Sequence, residues 1–147
     1  MAKPYVLLVN HTPENTVLVW DALRGMEVEF TNAFDSADAL VYLASALSAD
    51  DPPQAAVVLL TEPTPAVALS QLKGFRKDPI THGVPVIVCN ILRNCRHDVH
   101  DALCRQADAC VQTRDIDRFV VQLNDAVRRL LFPHAYETLD TRPQAKP

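Results

Sequence analysis

Glycine is scarce in this chain, which has only Gly25, Gly74 and Gly83 among its 147 residues. They are far apart, so the sequence has no glycine-rich loop of the kind that holds phosphate at the start of a helix. The longest strongly apolar runs, such as Ala55–Leu60 and Val84–Cys89, are much shorter than the ~20 residues that a membrane-spanning helix needs. These absences argue against a nucleotide-binding loop and against a membrane association.

Clusters of basic residues are also missing, since 14 Lys and Arg are outnumbered by 18 Asp and Glu and the formal net charge is −4. A surface that follows nucleic-acid phosphates needs the opposite balance, so nucleic acid is not an expected partner. No signal-peptide core precedes the first strand-like run, which predicts a cytoplasmic protein. The four cysteines, Cys89, Cys95, Cys104 and Cys110, form no C-x-x-C pair, and we expect them to be reduced.

The length and composition are those of one globular domain. With 48% hydrophobic and 22% charged residues, the chain can bury a core without a disulfide or a metal. We predict that this domain covers residues 1–132. Residues 133–147 contain three prolines and few aliphatic side chains, so we predict a C-terminal tail there.

Five strand-like segments alternate with five helical ones. The apolar segments Tyr5–Val9, Ala55–Leu60 and Val84–Cys89 are typical of parallel strands that are covered on both faces. Met26–Phe30 and Ala109–Gln112 are predicted edge strands. The predicted helices are 15–24, 37–47, 66–77, 96–106 and 115–132. This order predicts an α/β fold, a doubly wound (βα)5 three-layer sandwich whose parallel sheet has the strand order 2-1-3-4-5.

Polar side chains follow the predicted strands where each strand ends. Asn10 and His11 follow the first strand, Thr61 the third, Asn90 the fourth and Thr113 the fifth. In an open doubly wound sheet, ligands bind beyond the carboxyl ends of the strands. These residues are therefore the candidate functional site.

Four parts of the chain resemble the receiver domain of response regulators, which has the flavodoxin-like CheY fold. Val6–Pro13 is similar to the opening I-L-L-V-E/D-D-N-P of that family, and Val57–Pro65 is similar to its central L-I-L-L-D-L-x-L-P. Lys77–Pro79 followed by Val84–Val88 resembles a passage of the single-domain receivers that serve phytochrome-type histidine kinases. Ala107–Val111 resembles the family's G-A-D-A-Y-L. The resemblance spans about residues 4–132 and implies a role in two-component phosphorelay signal transduction.

The five chemical positions of that family are all substituted here. In the family, two acidic residues after the first strand and an aspartate after the third hold Mg²⁺, and this aspartate accepts a phosphoryl group from a kinase histidine. The matching residues here are Asn10, His11 and Thr61. The family's Thr or Ser after the fourth strand is Asn90, and its lysine after the fifth strand is Thr113. The resemblance therefore implies a pseudo-receiver that is not phosphorylated and is not an enzyme.

Neutral side chains at these positions suit neither Mg²⁺, which prefers carboxylate oxygens, nor phosphotransfer, which needs an activated nucleophile. We expect them to form a hydrogen-bonded cluster without a cofactor. One alternative is a small-ligand or anion site that includes Arg114, with Glu62 nearby. Glu62 would point to the opposite side of the pleat if the strand continued through it. Another alternative is a conventional phosphoacceptor with a rearranged site, in which Asp35 or Asp38 stands in for the aspartate.

A second constellation consists of His97, His100 and Cys104, whose helical spacing would place three metal ligands on one face. The neighbouring acids Asp98 and Asp101 are more typical of a solvated face, so we expect no metal there. In receivers the fourth helix lies on the surface that binds partners. The resemblance thus predicts a protein partner, a histidine kinase or another signalling protein, that binds the fourth and fifth helices and the strand between them. A second copy of the chain is a further candidate.

Overall fold

The computed structural model of the chain describes residues 3–9, 13–61, 64–91 and 103–133. Its strands are β1 (Tyr5–Val9), β2 (Glu29–Ala33), β3 (Ala56–Leu60), β4 (Val86–Ile91) and β5 (Ala109–Thr113). Its helices are α1 (Pro13–Ala22), α2 (Ser36–Leu47), α3 (Pro65–Lys77), α4 (the helical residues 103–106) and α5 (Ile116–Leu131).

The five strands form one parallel sheet in the order β2-β1-β3-β4-β5, which confirms the predicted topology. Tyr5 of β1 pairs with Glu29 of β2 on one side and with Ala56 of β3 on the other. Parallel neighbours need a crossover connection, and the helices between the strands supply it. β2 and β5 are the two edges of the sheet.

Helices cover both faces of the sheet because successive side chains of a strand point in opposite directions. Val6 and Leu8 of β1 belong to the core that packs with α1 and α5. Leu7 and Val9 of the same strand belong to the core that packs with α2, α3 and α4. This burial on both sides explains why β1, β3 and β4 are largely apolar runs without alternation.

Local sequence signals determine several helix ends. Asp35 caps α2 by accepting a hydrogen bond from the backbone N of Asp38 at 2.8 Å. Pro65 opens α3 at its first turn, where a missing N–H costs nothing. Gly25 has a φ of 88° just after α1, a left-handed conformation that glycine adopts without strain.

α5, the last helix, is amphipathic and packs against α1, the first helix. Phe119, Leu123 and Val127 are buried on its inner face, and Asn124 Nδ2 donates a hydrogen bond to the carbonyl oxygen of Ala22 at 2.7 Å. Its apolar residues recur at intervals of three and four, the spacing that places them on one face of a helix. None of the described helices is long and apolar enough to cross a lipid bilayer.

Two strands begin at least two residues later than the sequence predicts. β2 starts at Glu29 and not at Met26, and β4 starts at Val86 and not at Val84. The backbone N of Met26 donates to Leu23 O (3.0 Å), and that of Val28 donates to Met26 O (3.1 Å), so this segment is a turn. Apolar and acidic residues alternate in this segment because Met26 and Val28 pack on the core beside α1 and α5.

Candidate functional site

Three of the predicted site residues lie at the carboxyl end of the sheet, where β3, β4 and β5 end. Thr61 follows β3 directly, Asn90 is near the end of β4, and Thr113 is the last residue of β5. The three strands are neighbours in the sheet, so their ends are adjacent. Asn10, His11 and Glu62 lie outside the described residues.

Thr61 joins the ends of the two central strands. Its side chain is buried, at 3% exposure, and its hydroxyl donates a hydrogen bond to the carbonyl oxygen of Val9 at 3.1 Å. Val9 ends β1, and its register partner in β3 is Leu60. An ionised carboxylate has no proton to donate, so at the same point it would face this carbonyl as a second acceptor. The local geometry therefore suits a hydroxyl better than an aspartate.

Asn90 contributes a second buried, neutral group and is 6% exposed. Its register partner is Gln112 of β5. Register partners in a parallel sheet point to the same side, and for this pair it is the side of Val88, which packs with α2, α3 and α4. Both side chains end in amides, so this part of the edge carries no formal charge.

Thr113 is engaged within its own turn. Its Oγ1 accepts a hydrogen bond from the backbone N of Asp115 at 3.2 Å. Asp115 then caps α5, because its Oδ1 accepts from Asp117 N at 2.9 Å and from Arg118 N at 3.5 Å. Arg114 lies between them with an exposed side chain. Its ligand-binding role stays a prediction.

In the described part of the chain, acidic side chains do not form a cluster at the carboxyl end of the sheet. Within residues 3–9, 13–61, 64–91 and 103–133, no group of three His, Cys, Asp or Glu side chains is placed to hold a metal ion. Asp35 serves as the cap of α2, and Asp38 is exposed in the first turn of that helix. Thr61, Asn90 and Thr113 offer no anionic oxygen, so they do not fit the Mg²⁺ that receivers hold.

The prediction of reduced cysteines is wrong for two of the four residues. Cys104 of α4 and Cys110 of β5 are joined by a disulfide, with a Cα–Cα distance of 5.3 Å. The absence of C-x-x-C did not exclude this pair, since the turn between α4 and β5 brings residues six apart together. A disulfide sulfur is not a thiolate ligand, so Cys104 is not available to the candidate metal set, for which we expected no metal and whose His97 and His100 lie outside the described residues.

Cys89 is a free, buried thiol, in agreement with the prediction for this residue. It lies in the core beside α1 and α5. Desolvation raises the pKa of its thiol to about 12. The thiol therefore remains protonated at neutral pH and acts as a small apolar side chain.

Asp108 has a structural role that the residue patterns did not reveal. Its Oδ2 accepts hydrogen bonds from Val86 N (2.8 Å) and Arg76 Nη2 (2.9 Å), and its own N donates to Val86 O (3.0 Å). It thereby fastens the start of β5 to the start of β4 and to the end of α3. The only signal for it was the resemblance of Ala107–Val111 to the family's motif.

Solved structures with the same fold are response-regulator receivers. The phosphorylated cyanobacterial phytochrome response regulator RcpA has a TM-score of 0.68 at 17% identity, covering 90% of this chain and 96% of that chain. The bacteriophytochrome response regulator RtBRR has a TM-score of 0.61 at 24% identity, covering 86% and 78%. The Mn²⁺-bound response regulator Rcp1 has a TM-score of 0.60 at 17% identity, covering 87% and 94%. No protein-family model and no curated protein sequence matches the chain. The similarity establishes that the chain has the receiver fold.

Proposed function

We propose that the protein is a receiver-type domain of two-component signalling that binds a protein partner and is not phosphorylated. The observation that carries this proposal is Thr61, which stands at the end of the central strand and donates its hydroxyl proton to Val9 O. By the sequence resemblance, this is the position of the phosphoacceptor aspartate. The proposed activity is therefore recognition without catalysis.

The chemistry of Thr61 supports the loss of phosphotransfer. A hydroxyl attacks a phosphoryl group effectively only when a base removes its proton. The proton of Thr61 instead points to a backbone carbonyl, which is not a base of that kind. Thr113, at the position of the family's lysine, is neutral and bonded within its own turn. Neither residue supplies the charge that the family's aspartate or lysine carries at these positions.

The phosphotransfer test uses the intact protein with Mg²⁺ and acetyl phosphate, and in a second sample with Mg²⁺ and beryllofluoride. RcpA, whose solved form is phosphorylated, is treated in parallel as the positive control. We expect RcpA to gain the mass of one phosphoryl group and this protein to keep its mass and its backbone NMR shifts. An adduct on this protein, or Mg²⁺-dependent shifts centred on Thr61, overturns the proposal. An adduct mapped to Asp35 or Asp38 identifies the rearranged site instead.

The partner surface that we propose is formed by α4, β5 and α5. β5 is an edge strand, so one side of it has no neighbouring strand. A groove of about 480 Å³ between β5 and α5 is lined by Val111, Val121 and Leu130, together with the Asp125–Arg129 salt bridge. Val121 is 67% exposed. Exposed apolar side chains at a groove with charged neighbours are typical of protein interfaces.

The partner class that best fits this proposal is a histidine kinase. RcpA and RtBRR are named as phytochrome and bacteriophytochrome response regulators, and another neighbour is the signal receiver domain of a histidine kinase from Syntrophus aciditrophicus. A second copy of the chain is the other candidate, because the open strand edge of one copy is available to the next.

Two matched variants test this surface. Val121→Asp places a charge in the groove, and Val41→Asp places one on α2, where the valine is equally exposed at 69%. Binding is measured against a panel of purified histidine-kinase cores and, for self-association, by sedimentation velocity. We expect Val121→Asp to weaken the association at least about tenfold and Val41→Asp to leave it unchanged. Equal effects of the two variants, or no association by the unsubstituted protein, contradict the proposed surface.

A further inference from the structure

We propose that Cys104 and Cys110 form a reversible redox modification site that is oxidised by a peroxide and reduced by a dithiol. We further infer that Gln112 transmits the state of this pair to the Asn90 position. The inference rests on the proposed function, because it supplies an input to a receiver that has no phosphoacceptor. It also concerns the same face, since the two cysteines lie on α4 and β5.

Contacts that do not involve sulfur hold the two cysteines close together. Leu103, next to Cys104, is buried in the core that packs with α2 and α3. The backbone N of Ala107 donates to Leu103 O at 3.2 Å, and Asp108 is bonded to Val86 through both its backbone and its carboxylate. The Cα–Cα distance of 5.3 Å lies within the usual range of disulfides. The backbone contacts that set this spacing therefore do not depend on the S–S bond.

The pair is accessible, in contrast to Cys89. Cys104 and Cys110 are both partly exposed, whereas Cys89 is fully buried. The thiolate is the form that reacts with oxidants, and burial suppresses it at Cys89. A small oxidant in solution therefore reaches Cys104 and Cys110 and spares Cys89.

The oxidation balances with hydrogen peroxide as the oxidant. One thiolate attacks a peroxide oxygen, the O–O bond breaks, and a sulfenic acid and hydroxide form. The second cysteine, as its thiolate, then attacks the sulfenic sulfur, the S–S bond forms, and hydroxide leaves and is protonated to water. Overall, two thiols lose two electrons and two protons, and one peroxide becomes two waters. A dithiol such as dithiothreitol reverses the change by thiol–disulfide exchange.

Gln112 connects the cysteine pair to the carboxyl end of the sheet, where Asn90 lies. Cys104 Sγ is 3.5 Å from Gln112 Oε1. A thiol at this position has a proton to donate to that oxygen, and a disulfide sulfur has none. Within the described residues, Gln112 Nε2 is buried without a hydrogen-bond partner, so no hydrogen bond at that nitrogen fixes the orientation of the amide. Gln112 is the register partner of Asn90, and oxidation thus changes hydrogen bonding one strand away from Asn90.

The chemistry can be tested by peptide mapping because each cysteine lies in a different tryptic peptide. Cleavage after Arg105 separates Cys104 from Cys110, and cleavage after Arg93 and Arg96 isolates Cys95 from both. The folded protein is treated with hydrogen peroxide, alkylated and digested without reduction. We expect peptides 97–105 and 106–114 to be cross-linked, and dithiothreitol to separate them. A pair that stays in the thiol form, or that bonds to Cys95 instead, overturns the proposal.

The coupling to the site is tested by NMR on the unsubstituted protein in its two redox states. We expect the amide signals of Asn90 and Gln112 to shift on oxidation. The same shift should occur in Cys89→Ala, and no shift in Cys104→Ser or Cys110→Ser. Unchanged Asn90 and Gln112 signals in oxidised, cross-linked protein refute the coupling, and this comparison does not depend on whether a variant folds.

Binding by the two redox forms to the kinase-core panel separates this inference from the proposed function. We expect their affinities to differ at least about fivefold, the lower end of ordinary coupling between sites. Equal binding by both forms refutes redox control and leaves the proposed function in place. A phosphoryl adduct on the reduced protein refutes the proposed function, while the cross-linked peptides still establish the redox site.

Discussion

At the scale of single residues, the ends of the central strands are adapted to hydroxyl and amide groups. The carbonyl oxygen of Val9 needs a donor, and Thr61 supplies one across a separation of 52 residues. A side chain that only accepts hydrogen bonds would remove this donor from the carbonyl. The hydroxyl of Thr61 is thus part of the hydrogen bonding between the central strands.

Removing the Thr61 hydroxyl should destabilise the fold. Thr61→Val keeps the shape of the side chain but leaves Val9 O without this donor, which should lower the free energy of unfolding by about 1 to 3 kcal/mol. Thr61→Ser keeps the hydroxyl donor, so its free energy of unfolding should fall by less. Urea unfolding of the three proteins measures this difference. If Thr61→Val is as stable as the unsubstituted protein, the hydrogen bond does not contribute.

The buried Cys89 thiol should make the fold sensitive to alkaline pH. Its pKa is raised from 9.0 to about 12 in the folded state. The unfolded chain therefore loses this proton first, and the stability contributed by the neutral thiol declines as the pH rises from 9.0 towards about 12. The slope from this one group reaches about 1.4 kcal/mol per pH unit. Cys89→Ala should flatten the alkaline limb of the stability profile, and an unchanged slope would contradict this assignment.

At the scale of elements, sequence patterns predict the buried strands β1 and β3 better than the edge strand β2. β1 and β3 are apolar runs whose burial on both faces leaves little freedom in their bounds. β2 is an edge strand with polar residues Thr31 and Asn32, so its pattern is weak, and the apolar Met26 and Val28 moved the prediction towards the preceding turn. Packing on a helix and pairing in a sheet both produce alternation, and one sequence does not separate them.

The N-terminal cap of α5 gives a test at the same scale. Asp115 accepts hydrogen bonds from the backbone N of Asp117 and of Arg118. Asp115→Ala removes both and should cost about 1 kcal/mol of unfolding free energy. Asp117→Ala removes an exposed acid of equal charge from the same turn and controls for the helix dipole. Thermal unfolding of both variants measures the difference, and equal losses would mean that the charge and not the cap is responsible.

At the scale of the whole molecule, the parallel topology explains why the position of the site was predictable and its contacts were not. The order 2-1-3-4-5 places the ends of β3, β4 and β5 side by side, so Thr61, Asn90 and Thr113 all lie at the carboxyl end of the sheet. The bond from Thr61 to Val9 and the disulfide from Cys104 to Cys110 depend on three-dimensional packing. Neither follows from periodicity, because the first joins a side chain to a backbone carbonyl oxygen of another strand and the second joins a helix residue to a strand residue.

The stability of the whole domain should be independent of Mg²⁺. A site that binds the ion only in the folded state, at about ten times its Kd, adds about 1.4 kcal/mol to the free energy of unfolding. For a chain of this length, that gain raises Tm by roughly 3 to 6 °C. Because Thr61, Asn90 and Thr113 offer no anionic oxygen, we expect Tm to be the same in Mg²⁺ as in a chelator at matched ionic strength. Rcp1, which is solved with Mn²⁺ bound, is the positive control and should be stabilised by the divalent ion. A comparable rise in Tm for this protein would show that the folded domain binds the divalent ion, and the expected independence of Mg²⁺ would be wrong.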